Sequence, residues 1–312
     1  MIVKAVLAGV AGVLVAGALV APVSATPAPH HVVIGTGGKT CVLRAHADCR
    51  EVVHRGVVYR QGDLTGVRLA RAKLPGADFT GAILDRANLR GINLRGAQLA
   101  GVRMRDADLR PAWKRAFPRT TWASCSPDCE NADLSNANLV DGDLANTDLT
   151  GANLTGANLT AATMDYVIGT GANFTATTMV GANLYMATLT NANLTGANLS
   201  HASLKYAYLD GATLAYVVSG GLVGTPATMA KGWSIVDGYL VGPYANLSSA
   251  SLSGANLSGL NLSNVNFGMA DLSGANLSGA NLTGASLTGA NVSGVNWYKA
   301  TCPNGKVTTT TC

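Results

Sequence analysis

The amino-acid sequence predicts an all-β solenoid, a chain that winds repeatedly around an apolar interior, and three observations support this class. Only 12% of the 312 residues are charged and 5% are aromatic, which leaves little material for a thick aromatic core or a heavily salt-bridged surface. Hydrophobic residues make up 48% of the chain, so the composition typical of disorder is absent. An apolar residue recurs at every fifth position over long stretches, which indicates a repeat architecture.

The five-residue repeat occurs in three blocks. Apolar residues stand at every fifth position from Leu64 to Leu109, then from Leu134 to Leu214 in the same phase, and from Leu247 to Trp297 in a new phase. Gly169 is the one exception among these central positions. Eight leucines represent the predicted core ladder: Leu64, Leu89, Leu134, Leu154, Leu184, Leu199, Leu257 and Leu277.

A period of five fits neither the 3.6-residue turn of an α-helix nor the simple alternation of a strand. It does fit a short extended side followed by a corner. Within each side, the central residue and the alanine that usually stands two positions earlier point the same way, while the Asn or Asp between them points outward. The glycine that often follows suits the corner. We therefore expect the chain to wind around an interior of Leu and Ala.

The repeated unit, A-(N/D)-L-(S/T)-G, resembles the pentapeptide-repeat family. Ala152 to Gly156 shows the full pattern in this chain, and Ala182 to Leu184 shows its first three positions. The resemblance implies a right-handed quadrilateral β-helix with four repeats per coil, so that every fourth repeat stacks on the one below. Asparagines in stacked repeats are then expected to form hydrogen-bonded ladders on the outside.

The N-terminus predicts a secretory signal peptide. Lys4 precedes the uncharged run Ala5 to Val20, and Val23-Ser24-Ala25 supplies the small residues of a cleavage site after Ala25. The alternative is an uncleaved membrane anchor, because the apolar run approaches the length that spans a bilayer. Cleavage predicts an extracytoplasmic protein with no membrane segment in its mature form.

Two segments interrupt the repeats. The first keeps the phase and is either an irregular coil or a loop in place of one, while the second changes the phase and predicts a β-hairpin around Asp237-Gly238. The predicted organisation is signal peptide 1–25, linker and N-terminal disulfide cap 26–51, repeats 52–111, interruption 112–131, repeats 132–216, hairpin-like insertion 217–244, repeats 245–299 and disulfide-closed C-terminal tail 300–312.

The six cysteines form three close pairs in sequence, which favours local disulfides in an oxidising compartment. The pairs are Cys41 with Cys49, Cys125 with Cys129, and Cys302 with Cys312. Other connectivities stay open. The alternative for the first pair is a zinc site that adds His46 and His54. Two of the pairs flank the repeats, where closed loops would block growth at the exposed strand edges.

Stacking of every fourth repeat predicts an outward aromatic strip. The strip contains Tyr166, Tyr185, Met186, Tyr206 and Tyr208. An exposed apolar strip of this kind is typical of a contact surface. The alternative, which the sequence favours, is that the insertion at 217–244 folds over the strip and covers it.

The charges are distributed unevenly along the chain. Residues 39–120 carry 17 basic and 7 acidic side chains, whereas residues 121–312 carry 4 basic and 10 acidic ones. Five arginines without evident partners form a candidate basic face: Arg68, Arg71, Arg90, Arg95 and Arg110. This face suits an anionic envelope polymer or nucleic acid, although charge runs are more often simply solvated.

No nucleophile, paired carboxylate or cofactor motif stands out, so the sequence predicts a non-catalytic scaffold that needs no cofactor. Its partner is expected to be a protein or an envelope polymer, and nucleic acid is disfavoured. The resemblance also implies an alternative, the acidic pentapeptide-repeat rod that mimics DNA and occupies a topoisomerase. Seven acids form such a stretch here: Asp128, Glu130, Asp133, Asp141, Asp143, Asp148 and Asp165. A further alternative is an enzyme supported on the rod.

Overall fold

The computed structural model describes residues 32–36, 39–93, 97–99, 102–105, 107–109 and 129–312. These residues contain no helix, so none of them forms a helical membrane span. They form three antiparallel hairpins. The hairpins pair β1 (Val32–Thr36) with β2 (Lys39–Leu43), β3 (Ser234–Val236) with β4 (Tyr239–Val241), and β5 (Ala300–Thr301) with β6 (Val307–Thr308). The predicted signal peptide lies outside the described residues.

Most of the remaining chain forms a coil held by isolated parallel bridges. Asp48 pairs with Arg68, Val53 pairs with Lys73, and the same offset of four pentapeptides recurs in the described residues of all three repeat blocks. Bridges occur at every fifth residue, so each coil contributes four of them. Each side of the coil therefore forms only one bridge to the next coil. The bridges recur once per side, and this gives the period of five.

The central residues and the alanines before them fill the interior. All eight leucines of the core ladder are at most 1% exposed: Leu64, Leu89, Leu134, Leu154, Leu184, Leu199, Leu257 and Leu277. Burying one leucine contributes about 1.5–3 kcal/mol. At the exceptional Gly169, the side chains of Phe174 and Leu189 occupy the space that a Cβ would need. A large neighbour therefore replaces the missing leucine.

The corners require a left-handed backbone. Among the described residues, the residue two positions after each central one has a φ near +60°, as at Gly181 (+66°). Glycine adopts this conformation without the strain that a Cβ introduces. Met186 occupies the next corner along the chain with a φ of +53°, so the repeat also accepts a large side chain where the corner faces outward.

The outward Asn and Asp residues mainly brace the corners. The Asn153 Oδ1 accepts hydrogen bonds from the Thr155 backbone N–H at 3.2 Å and from the Thr155 hydroxyl at 2.7 Å. The predicted ladder between coils is present as well, with Asn173 Nδ2 3.5 Å from Asn153 Oδ1 and Asn296 Nδ2 3.1 Å from Asn276 Oδ1. The local bond is the shorter one at Asn153, so the preference for Asn or Asp follows first from the turn.

The first interruption lengthens one coil without breaking the stack. Arg103 pairs with Asp133 and Asp108 pairs with Asn138, so the offset there is larger than elsewhere. The added length equals two pentapeptides, which is why the phase is kept.

The coil also begins before the predicted boundary at residue 52, because Asp48 is already a bridge residue.

The second interruption is shorter than the sequence predicts. Val218, Val223 and Thr228 still pair with residues of the preceding coil, so the coil continues past residue 216. Val218 then pairs with Asn246, at an offset larger than the usual one. The added length is not a multiple of five, and the phase changes for this reason. The segment includes the β3–β4 hairpin, whose turn is the predicted Asp237-Gly238.

The β3–β4 hairpin separates two apolar cores. Because side chains alternate along a strand, Ile235 and Leu240 contact the core that extends from residue 34 to residue 240. On the other face, Val236, Tyr239 and Val241 contact the core of residues 241–300. The insertion is therefore an internal spacer.

Disulfides lie at both ends of the coil. Cys41 of β2 is bonded to Cys49, and Cys302 is bonded to Cys312. With its two sulfurs in a disulfide, the pair of Cys41 and Cys49 has no thiolate for the zinc alternative. Cys129 also belongs to a disulfide, and its predicted partner Cys125 lies outside the described residues.

Candidate functional site

An aromatic surface follows one corner of the coil. Tyr166, Met186 and Tyr206 occupy the same corner of three successive coils, and Tyr166 and Tyr206 are each 48% exposed. Tyr185 lies beside this column and is half-buried. Tyr208, which is 38% exposed, extends the surface to the adjoining side. These five residues form what we call the tyrosine strip.

The rings of the strip contact one another. Tyr185 lies between Tyr166 and Tyr206, with centroid separations of 5.6 and 5.8 Å and edge-to-face orientations. The Lys205 ammonium lies 5.2 Å from the centre of the Tyr206 ring. Edge-to-face pairs and a cation over a ring are both favourable geometries, so the strip is an ordered surface.

The hairpin insertion does not cover the strip, and the expectation that it would is wrong. The β3–β4 hairpin is engaged elsewhere: the Leu240 N–H donates to Ser219 Oγ at 2.9 Å, and the Ser251 N–H donates to the Tyr239 hydroxyl at 3.0 Å. These contacts hold the insertion between the two cores. The tyrosines consequently keep their exposure.

The three arginines of the basic face that the structure describes each have an acidic partner, which corrects the sequence interpretation that they are uncompensated. Arg68 lies 3.7 Å from Asp48, Arg71 lies 3.6 Å from Glu51, and Arg90 lies 4.0 Å from Asp108. The first two acids belong to a coil below the predicted first block, within the segment assigned to the cap. Arg95 and Arg110 lie outside the described residues.

A cleft opens among these arginines. Arg50, Ala70 and Arg90 stand one above another on an outward column of successive coils, and the short Ala70 leaves a depression between two long side chains. The cleft has a volume of about 330 Å³. It is lined by Arg50, Arg68, Arg71, Arg90, Glu51 and Asn88 around Ala70. We call it the arginine cleft.

Sequence reasoning missed Arg50, because residues 26–51 were assigned to a linker and cap. The signal was nevertheless present, since counting back one coil at a time from Arg90 leads through Ala70 to Arg50.

The first repeat block also contains a buried carboxylate, Asp78, which is paired with Arg60. Asp78 is 6% exposed, and its carboxylate accepts hydrogen bonds from Arg60 Nε at 2.6 Å and from the Thr80 N–H at 3.1 Å. Burial raises the pKa of Asp78, but the hydrogen bonds from Arg60 and Thr80 outweigh it, and the pKa lies below its usual value. A carboxylate with a lowered pKa in the folded state stabilises the fold above its unfolded pKa, and this stability is lost as the pH falls through the folded value.

We therefore expect Asp78→Asn to reduce the free energy of unfolding at pH 7 by about 1.5 kcal/mol. This value is the lower end of the usual contribution of a charged hydrogen bond, and we choose it because the Arg60 side chain is exposed to solvent. The variant should also lose less stability than the parent between pH 5 and pH 3. Urea unfolding at pH 7, 5 and 3 measures both effects. The control is Asp141→Asn, at an exposed corner. Equal stability loss on acidification in Asp78→Asn and in the parent would contradict the assignment.

Comparison with known proteins gives one family. The family model described as pentapeptide repeats matches in eight copies that together cover more than half of the chain. The eight copies fall within seven matched ranges, some of which overlap: residues 63–97, 76–110, 128–165, 170–205, 192–217, 243–268 and 269–296. No curated protein matches the sequence.

Solved structures of the same kind are similar to this chain. HetL, a pentapeptide repeat protein involved in heterocyst differentiation regulation in the cyanobacterium Nostoc sp. strain PCC 7120, is 25% identical, with 85% of this chain and 92% of HetL covered and a TM-score of 0.30. Full-length QnrB1, a plasmid-mediated fluoroquinolone resistance protein, is 16% identical, with 78% and 92% covered and a TM-score of 0.26. A pentapeptide repeat protein from the Arabidopsis thaliana thylakoid lumen is 21% identical, with 60% and 75% covered and a TM-score of 0.14.

Proposed function

The chain belongs to the pentapeptide-repeat family, and from this we propose that it is an exported, non-catalytic scaffold that binds a partner through its tyrosine strip. In this proposal the coil is a right-handed, four-sided β-helix. In the regular coils that the structure describes, four bridge positions per coil support the four sides. The partner is a protein or a polymer of the cell envelope.

The exposure of the tyrosine strip carries the proposal. Tyr166, Tyr206 and Tyr208 are 38–48% exposed, whereas the inward apolar side chains of the same coils are fully buried. A contiguous exposed apolar surface is typical of an interaction site, and tyrosine combines a large apolar face with a hydroxyl that can stay hydrated. A rigid ladder of such rings suits a surface that is prepared before its partner arrives.

The packing of the coil supports a role without catalysis. In the part of the chain that the structure describes, Leu and Ala side chains that are fully buried occupy the inward positions and leave little room there for a substrate. Binding sites for small substrates are usually concave and largely apolar. The surfaces left for function are the outer sides, which suit binding.

Export is supported by the predicted signal peptide together with the disulfides. The bonds Cys41–Cys49 and Cys302–Cys312 fit a protein that matures in an oxidising compartment. In the cytoplasm such bonds are rare, because thiols are kept reduced there.

The topoisomerase alternative has less support, since several acids of the predicted stretch are engaged within the chain. Asp133 accepts a hydrogen bond from Arg105 Nε at 2.6 Å, which neutralises one charge. Asp143 and Asp148 accept hydrogen bonds from the backbone N–H groups of Ala145 and Thr150. These carboxylates brace corners, which is the role that Asn plays in the other repeats.

Photo-crosslinking in the native cells tests the scaffold function. A benzophenone amino acid at position 206 should give a discrete adduct, whereas the same amino acid at position 216 should not. Tyr216 is a matched control, because it is also a corner tyrosine and is 57% exposed. The adduct should form on protein recovered outside the cytoplasm. The intact mass of that protein should correspond to a chain without residues 1–25, and the protein should contain no free thiol. Adducts of equal yield at both positions would contradict the strip, and a full-length cytoplasmic protein with free thiols would contradict export.

A further inference from the structure

We propose that the arginine cleft is a binding site for a phosphate monoester, a ligand that carries a doubly charged phosphate group. The cleft lies on the coils of residues 50–90 and shares no residue with the tyrosine strip. The inference is therefore independent of the proposed scaffold function.

The shape of the cleft follows from one small residue in a column of long ones. Ala70 stands between Arg50 and Arg90, each one coil away. Adjacent coils are one strand spacing of about 4.8 Å apart. The backbones of Arg50 and Arg90, two coils apart, are therefore separated by about 9.6 Å. The gap above Ala70 leaves room for a tetrahedral group between their guanidinium ends, and Arg68 and Arg71 flank it on the same coil as Ala70.

The charges around the cleft leave an excess of two positive charges among the described side chains. Arg50, Arg68, Arg71 and Arg90 line the cleft, and Lys39 adjoins it through its 2.7 Å ion pair with Glu51. Three carboxylates accompany these five cations: Asp48, Glu51 and Asp108. Hydrogen bonds from Arg50 lower the pKa of Asp48, and those from Lys39 lower the pKa of Glu51, so both carboxylates are ionised at neutral pH.

The ion pairs differ in closeness, and the longer ones leave donors for a ligand. Arg50 binds Asp48 with two short hydrogen bonds of 2.6 and 2.7 Å. Arg68 and Arg90, by contrast, stand 3.7 and 4.0 Å from their carboxylates. Those distances exceed the usual length of about 2.7–2.9 Å for a charge-assisted hydrogen bond. Since each guanidinium has five N–H donors, both arginines can bind a further anion.

A phosphate monoester matches these features better than other anions do. It carries a charge of about −1.5 to −2 at pH 7, which complements the excess of two. Its three terminal oxygens can accept from several guanidinium forks at once. A carboxylate has one charge and two oxygens, and a phosphodiester has one charge per group. The volume of about 330 Å³ holds the phosphate together with part of the group that bears it.

The experiment measures binding of inorganic phosphate to the full mature chain by ³¹P line broadening at constant ionic strength. Ala70→Leu fills the depression without changing charge, and Arg90→Gln removes one cation. We expect each to weaken binding at least tenfold. Arg86→Gln is the matched control, because Arg86 is an exposed arginine of the same block that does not line the cleft. It should change the affinity less than twofold.

Competition identifies the ligand class. We expect glucose 1-phosphate to displace inorganic phosphate and acetate at equal concentration to leave it bound. Unchanged binding in Ala70→Leu, with the melting temperature of the parent retained, would overturn the proposal. Displacement by acetate as effective as that by glucose 1-phosphate would also overturn it. Binding of a single-stranded oligonucleotide in the cleft, tenfold tighter than glucose 1-phosphate, would assign the cleft to nucleic acid instead.

Discussion

Replacing Leu184 by aspartate is expected to abolish the cooperative unfolding transition of the central coils. The Leu184 side chain is fully buried, and its backbone N–H donates to the Ser203 carbonyl of the next coil at 2.9 Å. The substitution removes a burial contribution of about 1.5–3 kcal/mol. It also places a carboxylate in an apolar interior, which costs several kcal/mol more even after relaxation. A total of about 5 kcal/mol is comparable with the stability of a small domain.

A matched control exists one residue away. Asn183→Asp introduces the same side chain at the neighbouring outward position, where Asn183 Oδ1 accepts a hydrogen bond from the Tyr185 N–H at 3.2 Å. Aspartate can accept this bond equally well, and Asp143 and Asp148 already do so in other coils. We expect Asn183→Asp to melt within a few degrees of the parent. Equal melting curves for the two variants would contradict the inward assignment of the ladder.

The damage from Leu184→Asp should also be local. Each coil contacts only its neighbours, so the stability of a solenoid is close to a sum of nearest-neighbour contributions. Hydrogen exchange should accelerate first in the coils that contain Met164, Leu184 and Leu204. The coils of residues 245–300 belong to a different core and should keep most of their protection. Uniform acceleration along the whole chain would instead indicate a single cooperative unit.

The interior of the coil could be predicted from the sequence, because burial there depends on local geometry alone. In an extended segment, Ala182 and Leu184 point the same way and Asn183 points the other way, wherever the segment lies in the fold. The turn at Asp237-Gly238 was predictable for the same reason, since it depends on two adjacent residues.

The surface could be predicted only in part, because it depends on contacts between distant residues. The partners of Arg68 and Arg71 are Asp48 and Glu51, and they become visible only when the coil is known to begin before residue 52. Whether Tyr206 is covered depends on where the insertion docks. The alternating apolar side chains of the insertion would allow the hairpin to dock either over the strip or between the cores. The hydrogen bond from the Leu240 N–H to Ser219 Oγ holds it between the cores.

Replacing Trp233 by alanine is expected to separate the unfolding of the two cores. Trp233 is half-buried and is the one side chain among the described residues that packs partly buried against both cores. A Cβ at Gly242 would collide with its indole ring, so the ring lies directly on the backbone that leaves β4. Truncating a core aromatic residue to alanine costs about 3–5 kcal/mol when it is fully buried. We expect a loss near the lower end of that range, because the indole of Trp233 is partly exposed.

The reason for two transitions is that the hairpin is the element through which the cores meet. Ile235 and Leu240 face one core, whereas Val236 and Tyr239 face the other, and Trp233 packs against both. Without the indole, residues 245–300 should unfold in urea before the coils of residues 130–217, as hydrogen exchange of peptides from each core would report. Tyr298→Ala removes an aromatic side chain that is 53% exposed and should leave a single transition. A single transition in Trp233→Ala with the midpoint of the parent would mean that the cores are coupled by the backbone bridge of Val218 and Asn246, and not by the hairpin side chains.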